Sequence, residues 1–206
     1  TRAAEGDGRY VKQTGGRGQY GHAKIRIAPR RPGEGYLFEN NIVGGAIPKN
    51  YLAAVKHGVE EAMTTGAGGG IPIVDVRVEC YDGKTHSVDS SDMAFKTAAA
   101  SGVAEAVQQA GAVLLEPISL LRLRVPVSSQ GDVLGDLSAR RGRVVGSDAE
   151  DGMQVIIAEV PTAEIGRYAM DLRALTAGRG TYTVEHHHYA PVPDHLSGKV
   201  LAELTS

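Results

Sequence analysis

Two short segments of the chain carry residue types that could contact nucleic acid. The first, residues 14–22, reads TGGRGQYGH and combines glycine with basic, amide and aromatic side chains. Glycine permits positive φ angles and close backbone approach, so such a loop can enter a groove that excludes a bulkier one. Arg17 would supply a charge, Gln19 amide donors and an acceptor, and Tyr20 a stacking face. An ordinary glycine-rich connection is the alternative interpretation.

The second segment, residues 86–96, reads HSVDSSDMAFK and is a polar loop that runs into a helix. His86, Asp89 and Ser90 have the side chains of a hydrolytic triad. A triad is defined by three-dimensional geometry, however, and one short loop does not establish that geometry. Asp89 or Ser90 as the N-cap of the following helix is the simpler interpretation. We therefore expect His86 to be an exposed loop residue that is available to RNA.

Neither of two glycine motifs predicts a nucleotide site. Residues 16–21 match G-x-G-x-x-G, but a strand follows them where the dinucleotide fingerprint needs a helix. Residues 82–85, DGKT, resemble the end of a P-loop, yet the first glycine of that motif would fall on Val78. We expect neither a cofactor nor a catalytic residue in this chain.

The remaining potential metal ligands are a run of three histidines and a single cysteine. Strand alternation would place His186 and His188 on one face, and no other plausible ligand lies nearby in sequence. We therefore expect no metal site. Cys80 cannot form an internal disulfide, which fits a reducing cytosol, and its mid-strand position predicts a small core residue.

Length and composition indicate two globular domains. The 206 residues exceed the usual size of one domain, and a hydrophobic content of 42% supports real cores. The apolar runs are too short to span a membrane. The chain begins at Thr1 with no initiator Met and no signal pattern, so we expect a processed product or a piece of a longer protein. We expect this protein to be cytoplasmic and monomeric.

The formal net charge of −2 argues against a general nucleic-acid coat. The first 31 residues nevertheless hold eight basic side chains against only Glu5 and Asp7. Such a basic edge suits a protein that docks phosphate at one place. A solvated strand edge protected by charge accounts for it equally well.

Hydrophobic periodicity predicts strands and helices in alternation through the first half. In residues 22–28, Lys24 and Arg26 alternate with apolar residues, as in a half-buried strand. Glycines are expected to end the first helix, and Asp82-Gly83 to begin a loop. The predicted elements are strands at 22–28, 36–43 and 71–81, a helix at about 50–64, and an alanine-rich helix from Asp89 or Ser90 to about Gln109.

Glu116-Pro117 marks the predicted domain boundary. Beyond it the order is strand, helix, strand, strand, helix, strand, which is the ferredoxin-like arrangement, and a short tail helix follows. The predicted elements are strands at 118–125, 143–147, 153–160 and 181–187, with helices at about 131–140 and 163–177.

An RNA-recognition sheet would stack bases on aromatic residues of its central strands. The strand at 153–160 has none, so this sheet is expected to be a packing surface. Its one basic cluster is Arg140, Arg141 and Arg143 at the end of the first helix, where charge complementarity to the helix C-terminus is the alternative role.

Residues 14–22 and 86–96 resemble the two tip loops of domain IV in elongation factor G, the ribosomal translocase. Four further segments extend the likeness over nearly the whole chain, so that it resembles domains IV and V of elongation factor G or a close relative. These segments are Gly44–Pro48, Leu115–Ile118, Gly131–Gly142 and Leu172–Gly180.

The resemblance implies an α+β chain with two domains and a tail. Residues 1–116 would form a ribosomal-protein-S5-like α/β domain, residues 117–190 a ferredoxin-like βαββαβ domain, and residues 191–206 the tail helix. Domain V would lie against the large subunit near its factor-binding region. GTP and Mg²⁺ would bind in an N-terminal GTPase domain that this chain lacks.

The resemblance also implies that domain IV contacts tRNA and mRNA in the decoding site of the small subunit during translocation. Gln19 and Tyr20 would meet the codon–anticodon minor groove, and His86 would meet tRNA or decoding-site RNA. The implied RNA-binding residues are Arg17, Gly18, Gln19, Tyr20, His86, Ser87, Asp89 and Ser90. Secondary RNA or ribosome contacts are implied for Lys84, Arg140 and Arg141.

Three segments are not expected of a typical translocase: Lys49-Asn50, residues 66–70 and the histidine run. They leave open a paralogue specialised for ribosome recycling, or a tetracycline-type ribosomal protection protein. Intact tip loops favour the translocase or an elongation-factor-G-like paralogue over the protection protein. A freestanding structural RNA-binding module is the alternative from another class, and the missing initiator Met counts against it.

Overall fold

The chain folds into two compact units that meet in sequence between Val113 and Leu114. The computed structural model describes residues 2–13, 15–16 and 18–204. Each unit has its own four-stranded sheet and its own hydrophobic core. The predicted division at Glu116-Pro117 falls three residues later, inside a strand. Within the described ranges, every helix is too short or too polar to cross a membrane.

The first unit places two helices on a mixed sheet. The strand order is β1-β2-β4-β3, with β3 parallel to β4 and the other pairs antiparallel. The second helix packs on β1 and β2, and the first helix packs against the second. The elements are β1 Ala4–Lys12, β2 Gln19–Pro29, β3 Leu37–Asn40, α1 Leu52–Thr65, β4 Val76–Lys84 and α2 Asp92–Ala110.

The alternation predicted for β2 is confirmed. Ala23, Ile25 and Ile27 are buried, and the basic residues between them lie on the other face of the sheet. There the Lys24 ammonium nitrogen lies 3.0 Å from a carboxylate oxygen of Asp82. The Arg26 guanidinium nitrogens lie 2.9 Å from a carboxylate oxygen of Glu5 and 3.3 Å from one of Glu79. These basic side chains are therefore neutralised within the domain.

The predicted strand at 71–81 is wrong at both ends. It begins only at Val76, because Asp75 has a φ of 53°, and Val74 before it is exposed. The Asp75 carboxylate accepts the Gly35 N–H at 2.8 Å, which stabilises this break. The strand then continues through Asp82-Gly83, where a loop was predicted, and ends at Lys84.

The alanine-rich helix α2 also begins later than predicted. Its N-cap is Ser91, whose Oγ accepts the Ala94 N–H at 3.2 Å. Neither Asp89 nor Ser90 caps the helix, so the predicted N-cap is wrong. Seven of its apolar residues are buried: Ala94, Phe95, Ala98, Ala99, Val103, Ala106 and Ala110.

The second unit confirms the predicted ferredoxin-like order. Its sheet is fully antiparallel with strand order β6-β7-β5-β8. Apolar side chains of β5 and β7 form one core with those of both helices, which therefore cover one face of the sheet. The elements are β5 Leu115–Pro126, α3 Gln130–Ala139, β6 Arg143–Glu150, β7 Met153–Pro161, α4 Tyr168–Leu175, β8 Thr181–Pro191 and the tail helix α5 Asp194–Leu204.

Candidate nucleic-acid interface

The loop between β1 and β2 contacts the loop between β4 and α2, although the two are far apart in sequence. The Gly18 N–H donates to Asp89 Oδ1 at 3.1 Å, and the Tyr20 N–H donates to the Asp89 carbonyl at 2.7 Å. Tyr20 also forms a parallel β-bridge with Ser90. The structure thus places the two segments side by side. We call them the paired loops, residues 15–20 and 84–91, of which Arg17 lies outside the described residues.

The second of the paired loops is held by its own hydrogen bonds. The His86 N–H donates to Ser90 Oγ at 2.9 Å, and the Ser90 N–H donates back to the His86 carbonyl at 3.3 Å. The Tyr51 hydroxyl donates to the Ser90 carbonyl at 3.2 Å, which ties the loop to the start of α1. Ser90 is therefore a buried structural residue of the loop.

One nitrogen of the His86 imidazole, Nδ1, accepts hydrogen bonds from the backbone of this loop. Its Nδ1 lies 3.3 Å from the Val88 N–H and 3.2 Å from the Asp89 N–H, both of which donate to it. Asp89 Oδ2 is also 3.3 Å from Nδ1. Since Nδ1 cannot donate while it accepts, we assign the proton of the neutral ring to Nε2. Nε2 makes no hydrogen bond to the described part of the chain, so this N–H is available to a ligand.

Close packing of β2 against α2 fixes where the first of the paired loops ends. A Cβ on Gly21 would lie 2.3 Å from the Ala94 carbonyl oxygen, so only glycine permits this approach. The start of β2 is thereby held against the first turn of α2. The Tyr20 ring lies next to Gly21 in sequence and 6.1 Å from the His86 ring, at an interplanar angle of 49°.

Exposure divides the predicted RNA-binding residues into two groups. Gly18 and Ser90 are buried and Asp89 is partly buried, and their hydrogen bonds hold the paired loops together. The other four described residues, and Lys84 from the predicted secondary contacts, reach solvent, fully or in part, and form much of the accessible surface of the loops. They are Gln19, Tyr20, Lys84, His86 and Ser87.

Comparison with known proteins identifies the architecture that carries these loops. Residues 1–111 match the family model "Elongation factor G, domain IV", and residues 113–200 match "Elongation factor G C-terminus". The chain belongs to the elongation factor G family. The predicted family is thus confirmed, as are the S5-like fold of domain IV and the ferredoxin-like fold of domain V.

A solved structure of a Thermus thermophilus protein is similar along the entire chain. It is 44% identical with a TM-score of 0.86, and the match covers 100% of this chain and 31% of that one. The chain therefore spans less than a third of the length of this relative. In the elongation factor G family, the described paired loops belong to domain IV.

Two exposed apolar side chains of domain IV also lie in or beside the paired loops. Val88 is 58% exposed and Met93, in the first turn of α2, is 61% exposed. Sequence reasoning missed both because it searched for polar and aromatic groups. Their signal was an apolar residue inside a polar loop and another two residues after the helix N-cap. They add exposed apolar area in and beside the paired loops.

The arginines at the end of α3 in domain V are already paired within that domain. Arg140 contacts Asp136 at 2.9 Å and Asp171 at 2.6 Å. Arg141 makes two hydrogen bonds to the buried carboxylate of Glu116, at 2.6 and 3.0 Å, and these bonds are the largest cause of its raised pKa. This pairing gives both residues a structural role. A ribosome contact by either one stays a prediction.

Proposed function

We propose that this chain is the part of an elongation-factor-G-type translational GTPase that probes the decoding site, with the paired loops contacting tRNA and mRNA during translocation. The observation that supports this most directly is the pair of hydrogen bonds from Gly18 and Tyr20 to Asp89. They join segments 71 residues apart into one surface. A merely connective glycine-rich loop would need no such partner.

The accessible groups of the paired loops suit recognition of RNA by its shape. The His86 Nε2–H, the Gln19 amide and the Ser87 hydroxyl can bond phosphate oxygens and 2′-hydroxyls. Lys84 adds a positive charge at the end of β4. Contacts of this kind carry little sequence information, since sequence is read from base edges. A factor that serves every codon requires this behaviour.

The remaining parts of the proposal follow from family membership. Domain V would lie against the large subunit near the factor-binding region. GTP and Mg²⁺ would bind in a domain outside this chain, so the chain itself contributes no catalytic residue. The protein would act in the cytoplasm as a monomer on the ribosome.

The test is a His86→Ala substitution in the full-length parent. We expect slower tRNA–mRNA movement with nearly unchanged ribosome-stimulated GTP hydrolysis, because the paired loops would meet RNA while hydrolysis occurs in another domain. Each ~1.4 kcal/mol of lost transition-state contact slows movement about tenfold. Rapid-kinetic measurement of both steps separates these effects. His57→Ala is the matched control, since His57 is also exposed but lies on α1.

A Gln19→Ala variant should slow movement similarly on every codon. A strong dependence on codon identity would contradict recognition by shape. If His86→Ala abolished hydrolysis while any residual turnover translocated normally, the assignment of the paired loops would be wrong. If the unmutated parent split ribosomes with a recycling factor and did not translocate, the paralogue hypothesis would replace the translocase.

A further inference from the structure

Strand β8 contains a β-bulge within its histidine run. Ile118 of β5 pairs with His188, and the next residue, Ser119, pairs with His186, which leaves His187 as the extra residue. Adjacent residues of β5 point to opposite faces, so His186 and His188 do not share a face as alternation predicted. The expectation of no metal site rested on the lack of another ligand nearby in sequence, so a ligand from a distant strand would change it.

The bulge brings His187 and His188 together with a carboxylate from another strand. Glu159 lies on β7, which is separated from β8 by β5. Its Oε1 is 3.5 Å from His187 Nε2, and the two imidazole rings are 4.8 Å apart. One ligand atom from each of the three residues lies within 4.8 Å of the other two.

We propose that Glu159, His187 and His188 bind a divalent transition-metal ion, for which zinc is the best match. Two imidazole nitrogens and one carboxylate oxygen are a ligand set that zinc takes when a fourth position stays open to water. Ligand bonds of about 2.0–2.2 Å would draw the three atoms closer than they lie without metal. Both histidines are exposed, so rotation of their side chains can supply this movement.

A neighbouring arginine holds the carboxylate in place for this role. Arg143 of β6 donates to Glu159 Oε2 at 2.6 Å, which leaves Oε1, the oxygen nearer His187, for the metal. Glu159 itself is mostly buried, with 15% of its side chain exposed. Groups that orient a ligand in this way commonly strengthen metal sites. Hence only the two histidines need to move.

Calorimetric titration of the 206-residue chain with zinc chloride tests the proposal. We expect one zinc ion per chain, with affinity reduced about tenfold or more in each of His187→Ala, His188→Ala and Glu159→Gln. His186→Ala is the matched control, because it removes a neighbouring imidazole that lies outside the cluster, and it should bind as the unmutated chain does. Circular dichroism of each variant verifies that it is folded.

Cobalt(II) provides a second measurement on the same variants, since its visible absorption reports the coordination geometry. An intense absorption band typical of four-coordinate cobalt, lost in His187→Ala and retained in His186→Ala, is the expected result. The proposal would be overturned if the folded chain took up no zinc. It would also be overturned if His186→Ala weakened binding as much as His187→Ala.

Discussion

The carboxylate of Asp89 joins the paired loops. Its removal should loosen the first loop at Gly18 and leave the hydrogen bond at Tyr20 in place. In an Asp89→Ala variant the Gly18 N–H loses its acceptor at 3.1 Å. The Tyr20 N–H keeps its own acceptor, because that bond goes to the Asp89 main-chain carbonyl. The two amides thus report on the side chain and on the backbone separately.

The expected size of the effect follows from the type of hydrogen bond. A bond to a charged group contributes about 1.5–3 kcal/mol, and since Asp89 is partly exposed we take about 2 kcal/mol. At about 1.4 kcal/mol per factor of ten, the open population at Gly18 rises about 30-fold. Asp89→Asn retains a neutral acceptor. It should therefore weaken the hydrogen bond by only about 1 kcal/mol, which raises the open population at Gly18 roughly fivefold.

Amide hydrogen exchange followed by NMR measures both populations residue by residue. The exchange rate of the Gly18 amide should be lowest in the unmutated chain, higher in Asp89→Asn and highest in Asp89→Ala. The exchange rate of the Tyr20 amide should change much less. Equal exchange at Gly18 in all three proteins would refute the reasoning. Equal acceleration at Gly18, Tyr20 and the core residue Ile25 would instead reveal unfolding of the whole domain.

Three further predictions concern the two domains separately. Arg141→Ala should destabilise domain V by about 3 kcal/mol in urea unfolding, because it leaves the buried Glu116 carboxylate without its ion-pair partner. The double variant with Glu116→Gln should recover part of that lost stability. Burial raises the pKa of Cys80 to about 12, so its alkylation at neutral pH should require unfolding of domain IV, which a thiol reagent with and without urea will show. The hydrogen bond from Lys24 is the largest cause of the lowered pKa of Asp82, so the contribution of Asp82 to stability is complete above about pH 4 and is lost as pH falls further; Lys24→Met should make this acid-induced loss shallower in urea titrations.

The sequence predicted elements whose signals are local. Alternation in β2 and the order of elements in domain V could be recognised because each needs only neighbouring residues. Strand β1 was not predicted, since its glycines suggest a loop. The structure explains them: a Cβ on Gly6 or Gly8 would lie 1.9 Å from a carbonyl oxygen of α2, so the strand can carry no side chain there.

The errors within the candidate interface have the same origin. Asp89 was a plausible N-cap by sequence, yet its carboxylate accepts from Gly18, a partner 71 residues away that no local pattern reveals. Likewise, the bulge beside His187 is set by pairing with β5 and is invisible in the sequence of β8 alone. Contacts between distant segments decide both outcomes.

The hydrogen bonds that close the paired loops have a consequence for how this surface can change. On the first loop their donors are main-chain N–H groups, which every residue except proline possesses. Within the described residues, the side chains of Gln19, Lys84 and Ser87 take part in no hydrogen bond that shapes the loops. Each of these three side chains can therefore be substituted singly while the hydrogen-bonded backbone of the paired loops keeps its form.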